Sequence, residues 1–253
     1  MPGAYVARSL VVLDDMRVLR DALAGYRDAA TAAGLVWPDH ADPAGGQPPD
    51  LVYRVFDVDR VAEQVIWLRS QGLESHRLLP DGGGLLPWPA DPTELLEDLS
   101  FSIATPFPWR HQLPLFYFDH MVYTFVLDGE REGEIWRYEV DPDIWGSVRA
   151  AASLATLFTE WTKGITAGLV FYRDLDQWLL VGDDVHDPFD VLLQRAPDLD
   201  PFAFPVFTSI SHEPLLRARQ RECGVDMDCI ARGADCQAEL LDAIAATRAS
   251  LRG

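Results

Sequence analysis

The stretch from Asp119 to Gly182 constrains the fold most, because turn residues divide it into short segments with clear apolar patterns. Segments rich in β-branched and aromatic residues predict four strands, at 121–127, 134–140, 169–172 and 178–181. Ser147 is a good N-cap, and the apolar stripe that follows it predicts an amphipathic helix over 148–163 that ends at Gly164. The stretch therefore predicts an antiparallel sheet with one helix packed across it.

The flanking parts of the chain add helices to this unit. Capping residues followed by apolar periodicity predict helices near 14–34, 59–72, 91–99, 187–193, 213–221 and 235–251, and alternation predicts a strand at 51–58. With 253 residues, of which 48% are hydrophobic, the chain can bury a sizeable core. We predict a single compact α+β domain over 1–253, with helices packed on a central, mostly antiparallel sheet and a helical C-terminal extension at about 183–253.

Residues 101–118 are rich in aromatic residues and proline. Because proline disfavours a central strand, the segment is predicted to be an edge strand or a long surface loop. If its aromatic side chains are exposed, they form a recognition surface, and if they fold back, they cover the core.

The chain is strongly acidic. Its 21 basic and 40 acidic residues give a net charge of 21 − 40 = −19, which argues against binding to nucleic acid or to an anionic membrane surface. This charge suits a basic protein partner, although it also promotes solubility. No apolar run reaches the roughly 18 residues of a membrane span, and the first residues lack a secretory signal pattern, so we expect a cytoplasmic protein.

The residues that come closest to a metal site are His212, Cys223, Cys229 and Cys236. The cysteine spacing is not the Cys-x2-Cys pattern that presents two thiolates to zinc, so reduced or buried thiols are favoured, with a Cys223–Cys229 disulfide as a further interpretation. The three glycines that start at Gly82 lack the ending of a phosphate-binding loop and predict a flexible turn. We therefore expect no metal and no cofactor.

Histidines near the aromatic segment are the main candidates for chemistry. His111 and His120 flank its end, and Asp119 adjoins His120, but the serines lack a Gly-x-Ser-x-Gly elbow, so we assign no catalytic residue. One interpretation is an accessory enzyme or a small-molecule-binding protein, with a pocket that lies under residues 101–118 and uses these three residues.

A different interpretation rests on motifs between about residues 106 and 164. They are Pro106-Phe107, the strand end Leu127-Asp128, the segment Gly133–Tyr138, the acidic turn Asp141-Pro142-Asp143, and the helical segments Ala152–Leu154 and Leu157–Trp161. Together these motifs resemble the SUKH superfamily, the fold shared by fungal cell-wall-synthesis regulators and bacterial immunity proteins of polymorphic and contact-dependent toxins. The resemblance covers roughly a quarter of the chain and implies a SUKH-like core at about 90–182.

The resemblance implies a non-enzymatic binding module, immunity-like or regulatory, which presents an acidic face to a basic protein such as a nuclease-type toxin. Complementary charge steers such partners together and selects among them. The candidate contact residues are acids at turns and two tryptophan anchors, namely Asp141, Asp143, Asp183, Asp184, Trp109 and Trp145.

Overall fold

A five-stranded antiparallel sheet lies at the centre of the computed structural model, which describes residues 3–37, 46–74, 77–140, 146–173, 177–182 and 186–252, with side chains from Met16 onward. Its strands follow the chain order and are β1 (Gly84–Leu85), β2 (Gln112–Phe118), β3 (Met121–Val126), β4 (Ile135–Glu139) and β5 (Val148–Ala151). All six residues of β3 are buried, so both faces of the sheet are covered. The prediction of a compact α+β domain with a mostly antiparallel sheet is confirmed.

Helices surround the sheet. They are α1 (Gly3–Ala32), α2 (Asp50–Phe56), α3 (Glu63–Arg69), α4 (Leu154–Thr166), α5 (Pro188–Arg195), α6 (Glu213–Glu222), α7 (Met227–Arg232) and α8 (Ala234–Arg252). Short 3₁₀ helices lie at Pro92–Leu99, Trp109–His111, Pro201–Ala203 and Ile210–His212, and a separate hairpin contains β6 (Val170–Arg173) and β7 (Trp178–Val181). In the described parts of the chain, none of the helices combines the length and apolar character needed to cross a bilayer.

Trp161 of α4 lies at the centre of the core. Its indole ring contacts Tyr26 of α1 and Phe116 of β2 at centroid distances of 5.8 and 5.9 Å, which joins two helices to one face of the sheet. Its Nε1 donates a hydrogen bond to the carbonyl of Ala203 at 2.7 Å, and the hydroxyl of Tyr123 donates to the same oxygen at 3.2 Å. These two hydrogen bonds from buried aromatic residues fix the 3₁₀ helix Pro201–Ala203, which leads into residues 204–208.

The helix predicted over 148–163 begins later than expected. Residues 148–151 form β5, in which Val148 pairs with Arg137 of β4, and α4 begins after Ser153, whose side chain accepts a hydrogen bond from the amide of Thr156. Gly164 lies inside α4 against the Phe204 ring and does not end the helix. The apolar residues at 148–151 satisfy a strand pattern as well as a helix pattern, and pairing with β4 decides between them.

Two further predictions are wrong. Residues 51–58, predicted as a strand, form helix α2, because Val52, Val55 and Phe56 all face the core at helical spacing. Pro114 lies in β2, which is a central strand between β1 and β3 and not an edge. The ladder tolerates this proline because the register shifts between Pro114 and Phe116, at an irregularity where a backbone donor is not needed.

Candidate functional site

A cavity of about 460 Å³ opens at the end of the β2–β3 hairpin. It brings together parts of the chain that are far apart in sequence, and its lining residues are Asp81, Phe118, Asp119, His120, Met121, Asp187, Pro188, Pro205, Val206, Phe207 and Ser209. Three of these residues are aspartates, and none of the described lining residues is a lysine or an arginine. The cavity is therefore an acidic pocket with apolar walls.

The hairpin turn places Asp119 and His120 at the pocket. Phe118 pairs with Met121, so Asp119 and His120 alone form the loop, and Asp119 adopts a left-handed φ of 44°, which aspartate tolerates better than most residues. Both side chains are exposed, with His120 Nε2 2.8 Å from Asp119 Oδ2. The His120 ring also lies against the Phe207 ring at a centroid distance of 5.1 Å, which connects the hairpin to the opposite wall.

Asp81 enters the pocket from a tight turn that precedes β1. Its backbone amide donates to the carbonyl of Leu179, and its Oδ1 accepts a hydrogen bond from the amide of Val181 at 3.2 Å. Its Oδ2 is shielded from solvent and has no hydrogen-bond partner among the described residues. Burial raises the pKa of Asp81 from 3.8 to about 7, although the hydrogen bond from Val181 opposes this shift.

Arg137 of β4 holds the wall of the pocket formed by residues 204–208. The buried guanidinium donates from Nη1 to the carbonyls of Phe204 and Val206, at 2.6 and 3.0 Å, and from Nη2 to Thr208 Oγ1 at 3.3 Å. Glu139 Oε1 lies 3.8 Å from Nη2 and accepts a hydrogen bond from the amide of Thr208 at 3.0 Å. A segment without regular secondary structure is thus fixed to the sheet by charge-assisted hydrogen bonds.

A polar cluster continues from this wall toward α5. His212 Nδ1 lies 2.8 Å from Ser209 Oγ, and His212 Nε2 lies 2.8 Å from Asp190 Oδ1. The His212 ring stacks on Phe189 at a centroid distance of 4.6 Å. Asp187 caps α5 by accepting a hydrogen bond from the amide of Phe189, and ligand atoms of Asp187, Asp190 and His212 all lie within 4.8 Å of one another.

Large apolar side chains are exposed beside the pocket. Phe207, Ile210 and Leu215 are 43%, 79% and 40% exposed, and all three belong to the segment that leads from the pocket wall into α6. We call these three residues the apolar rim. Exposed aromatic and aliphatic residues near a pocket are a common feature of protein interaction sites.

Only some of the site residues predicted from the sequence line the pocket. Asp119 and His120 line the pocket, whereas His111 ends the 3₁₀ helix 109–111, where its carbonyl accepts a hydrogen bond from Leu127, and it does not line this cavity. Trp109 is partly buried and packs against the main core, and its role as a partner anchor stays a prediction. The remaining five candidates, Asp141, Asp143, Trp145, Asp183 and Asp184, lie outside the described residues.

Several residues of the site were missed as site residues. The Asp187-Pro188 pair predicted a helix start, which is confirmed, but nothing in the sequence pointed to the contacts of His212 with Asp190 and Ser209. His212 was grouped with the cysteines as a metal candidate, but the structure brings it to Asp187 and Asp190. An aspartate within a proline-glycine turn, such as Asp81, carries only the signal of the turn.

The cysteines form a disulfide that was not predicted. Cys229 of α7 is bonded to Cys236 of α8, with a Cα–Cα distance of 5.7 Å, and Cys223 is a buried free thiol. The interpretation that favoured reduced thiols is wrong for Cys229 and Cys236, and the alternative Cys223–Cys229 pairing is wrong as well. The turn at Gly233 brings the two helix ends together, which spacing along the sequence alone did not reveal.

Comparisons with known proteins found no protein-family model, no curated protein and no solved structure that matches this chain.

Proposed function

We propose that this chain is a protein-binding module, in which the acidic pocket and the apolar rim hold a basic segment of a partner protein. The observation that carries the proposal is the pocket itself, where Asp81, Asp119 and Asp187 meet without a lysine or arginine among the described lining residues. A lysine or arginine side chain of a partner supplies the missing positive charge and hydrogen-bond donors.

The apolar rim supplies the second component of such a site. Charge complementarity steers association and selects partners, but binding energy comes mainly from a few apolar or aromatic residues that lose contact with water. Ile210 is 79% exposed and Phe207 is 43% exposed, so both have apolar area to bury against a partner. The net charge of −19 favours a basic partner at long range.

The sequence resemblance narrows the class of partner. If residues 106–164 belong to a SUKH-like core, the module is immunity-like or regulatory and the basic partner is a nuclease-type toxin or a comparable protein. A toxin that binds nucleic acid carries a basic surface, and an acidic inhibitor neutralises that surface by occupying it.

The size of the pocket also favours a second candidate function. A volume of about 460 Å³ falls within the range of small-molecule sites, about 300–1,000 Å³. The same carboxylates select a cationic small molecule over an anionic one. In this case the pocket is filled by a free ligand, and the apolar rim contributes little to binding.

The test is an affinity capture from the native host's lysate with three forms of the chain: wild type, Ile210→Asp and Leu241→Asp. Leu241 is a matched control, since it is 45% exposed, lies on α8 and does not line the pocket. We expect a lysine- and arginine-rich protein to bind wild type and Leu241→Asp, to be released as salt rises, and to bind Ile210→Asp about 30-fold more weakly.

Equal capture by all three forms overturns the proposed docking surface. A small cationic molecule that co-purifies with wild type and Ile210→Asp alike, in place of a protein, supports the second candidate function. For a protein partner and for a small molecule alike, Asp119→Asn tests whether binding needs the negative charge of this side chain. Asparagine retains the size of the side chain and accepts the left-handed backbone at this position.

A further inference from the structure

The cluster beside the pocket holds more negative charge than its contacts neutralise. Among the described residues, neither Asp187 nor Asp190 forms an ion pair with a lysine or an arginine, and the only basic group beside them is the imidazole of His212. Two carboxylates with ligand atoms within 4.8 Å of each other repel, so the arrangement favours a cation that both of them contact.

The donor set matches a transition metal. An imidazole nitrogen and two carboxylates are typical ligands of Zn²⁺, and related sets bind Mn²⁺ and Fe²⁺, whereas Ca²⁺ and Mg²⁺ prefer oxygen ligands alone. The three residues come from two packed elements, the start of α5 and the 3₁₀ helix Ile210–His212, which the stacking of His212 on Phe189 holds together. A cation therefore draws together three side chains whose ligand atoms already lie within 4.8 Å of one another.

The second ring nitrogen of His212 has a partner suited to such a site. When a histidine binds a metal through one nitrogen, the other N–H is usually held by a hydrogen-bond acceptor, which fixes the tautomer and the ring plane. Ser209 Oγ lies 2.8 Å from His212 Nδ1 and fills this position, so Nε2 is left to face Asp190.

An independent observation comes from Asp81. Asp81 lines the same cavity as Asp187, and its Oδ2 is a shielded acceptor without a partner among the described residues. A hydrated cation at the cluster supplies hydrogen-bond donors to this oxygen through its bound water.

The same contacts place Ser209, His212 and Asp190 in the order of a nucleophile, a base and an orienting acid. A serine hydrolase needs donors that stabilise an oxyanion, whereas this pocket is lined by three aspartates, which destabilise one. The charge of the pocket thus favours a bound cation over nucleophilic catalysis.

We infer that Asp187, Asp190 and His212 bind one divalent transition-metal cation, with Zn²⁺ preferred, at the wall of the acidic pocket. Three protein ligands leave one coordination position for water or for a group of a bound partner. The site joins α5 to the segment that carries the apolar rim, so the metal stabilises the surface that we propose as the docking site.

The test is calorimetric titration of the metal-free, purified chain with ZnCl₂, and separately with MnCl₂ and CaCl₂. We expect one Zn²⁺ per chain, weaker Mn²⁺ binding and no Ca²⁺ binding. Asp190→Asn and His212→Gln are expected to weaken Zn²⁺ binding at least about tenfold, and Ser209→Ala by a smaller factor. Glu239→Gln is the control, because Glu239 is an exposed carboxylate on α8 that does not line the pocket, and it is expected to bind like wild type.

Absence of stoichiometric Zn²⁺ binding overturns the inference, and so does binding that both cluster variants retain in full. Since the His212 side chain is buried, circular dichroism must show that His212→Gln is folded. If it is not, Asp190→Asn decides the question, because this side chain is half exposed and asparagine has the same shape. A visible absorption band of the Co²⁺-loaded chain that Asp190→Asn alters gives a second readout. Neither measurement needs the partner, so the metal site and the docking proposal can fail separately.

Discussion

Replacing Arg137 with methionine is expected to release the pocket wall from the sheet. Methionine retains much of the apolar stem but removes the donors to the carbonyls of Phe204 and Val206, and it also removes the positive charge beside Glu139. Water cannot easily reach the carbonyls to replace the lost donors, because the Arg137 side chain is 1% exposed. The free energy of unfolding should therefore fall substantially.

The structure sets the size of this effect. A net hydrogen bond to a charged group contributes about 1.5–3 kcal/mol, and removing one member of a buried charged pair costs about 3–5 kcal/mol. Three hydrogen bonds and one buried carboxylate are affected, so we expect a loss of about 4 kcal/mol. Arg137→Lys retains the charge but offers a single nitrogen in place of a planar fork, and we expect an intermediate loss.

Urea denaturation followed by tryptophan fluorescence measures the loss. Hydrogen exchange supplies a local readout, since the amide of Thr208 donates to Glu139 and should exchange faster in Arg137→Met than in wild type. Arg232→Met is the control, because the Arg232–Glu239 pair is exposed to solvent and is expected to contribute little to stability. A loss below about 1 kcal/mol for Arg137→Met, with unchanged exchange at Thr208, refutes the assigned role of this arginine.

Other predictions concern the turn before β1 and the C-terminal helices. Because burial raises the pKa of Asp81 to about 7, the fold holds its proton more tightly than the unfolded chain, and the stability contribution of this group falls as pH rises from about 4 to 7. Asp81→Asn should therefore raise the free energy of unfolding at pH 8 by on the order of 4 kcal/mol, measured by urea denaturation, and change it little at pH 4; an equal change at both pH values contradicts this. Gly83→Ala should cost about 1–3 kcal/mol in the same assay, because a Cβ there meets an aromatic ring carbon at 2.0 Å, whereas Gly84→Ala, with nothing within 4 Å, should be nearly neutral. Replacing Cys229 and Cys236 together with serine should cost about 2.5 kcal/mol, as expected for opening a loop of this length, and equal midpoints would show that the bond contributes nothing.

Segments whose structure depends on nearby residues were predicted well from the sequence. The strand predicted at 178–181 matches β7, and the C-terminal helix predicted over 235–251 is α8 at Ala234–Arg252. The capping signal at Asp187-Pro188 marks the start of α5, since an aspartate and the amide two residues later satisfy each other without distant help. In each case residues only a few positions apart specify the structure.

Segments that fit both a strand pattern and a helix pattern could not be assigned from neighbouring residues alone. The apolar residues at 148–151 and at 51–58 suit either a strand or a helix, and pairing with β4 or packing of α2 against the core determines the outcome. Pro114 likewise could be placed in a central strand only once its irregular register was known.

The sequence by itself determined the acidic charge, the α+β class, and the strand that begins at Met121. Only the tertiary structure brought Asp81 and Ser209, 128 positions apart since 209 − 81 = 128, to one cavity. The physical reason is that a local sequence pattern reports only on residues a few positions apart, whereas these two side chains come together only through packing of the whole domain. In the folded core, buried Arg137 holds the wall of the pocket against the sheet, and the contact between Phe189 and His212 holds α5 beside it.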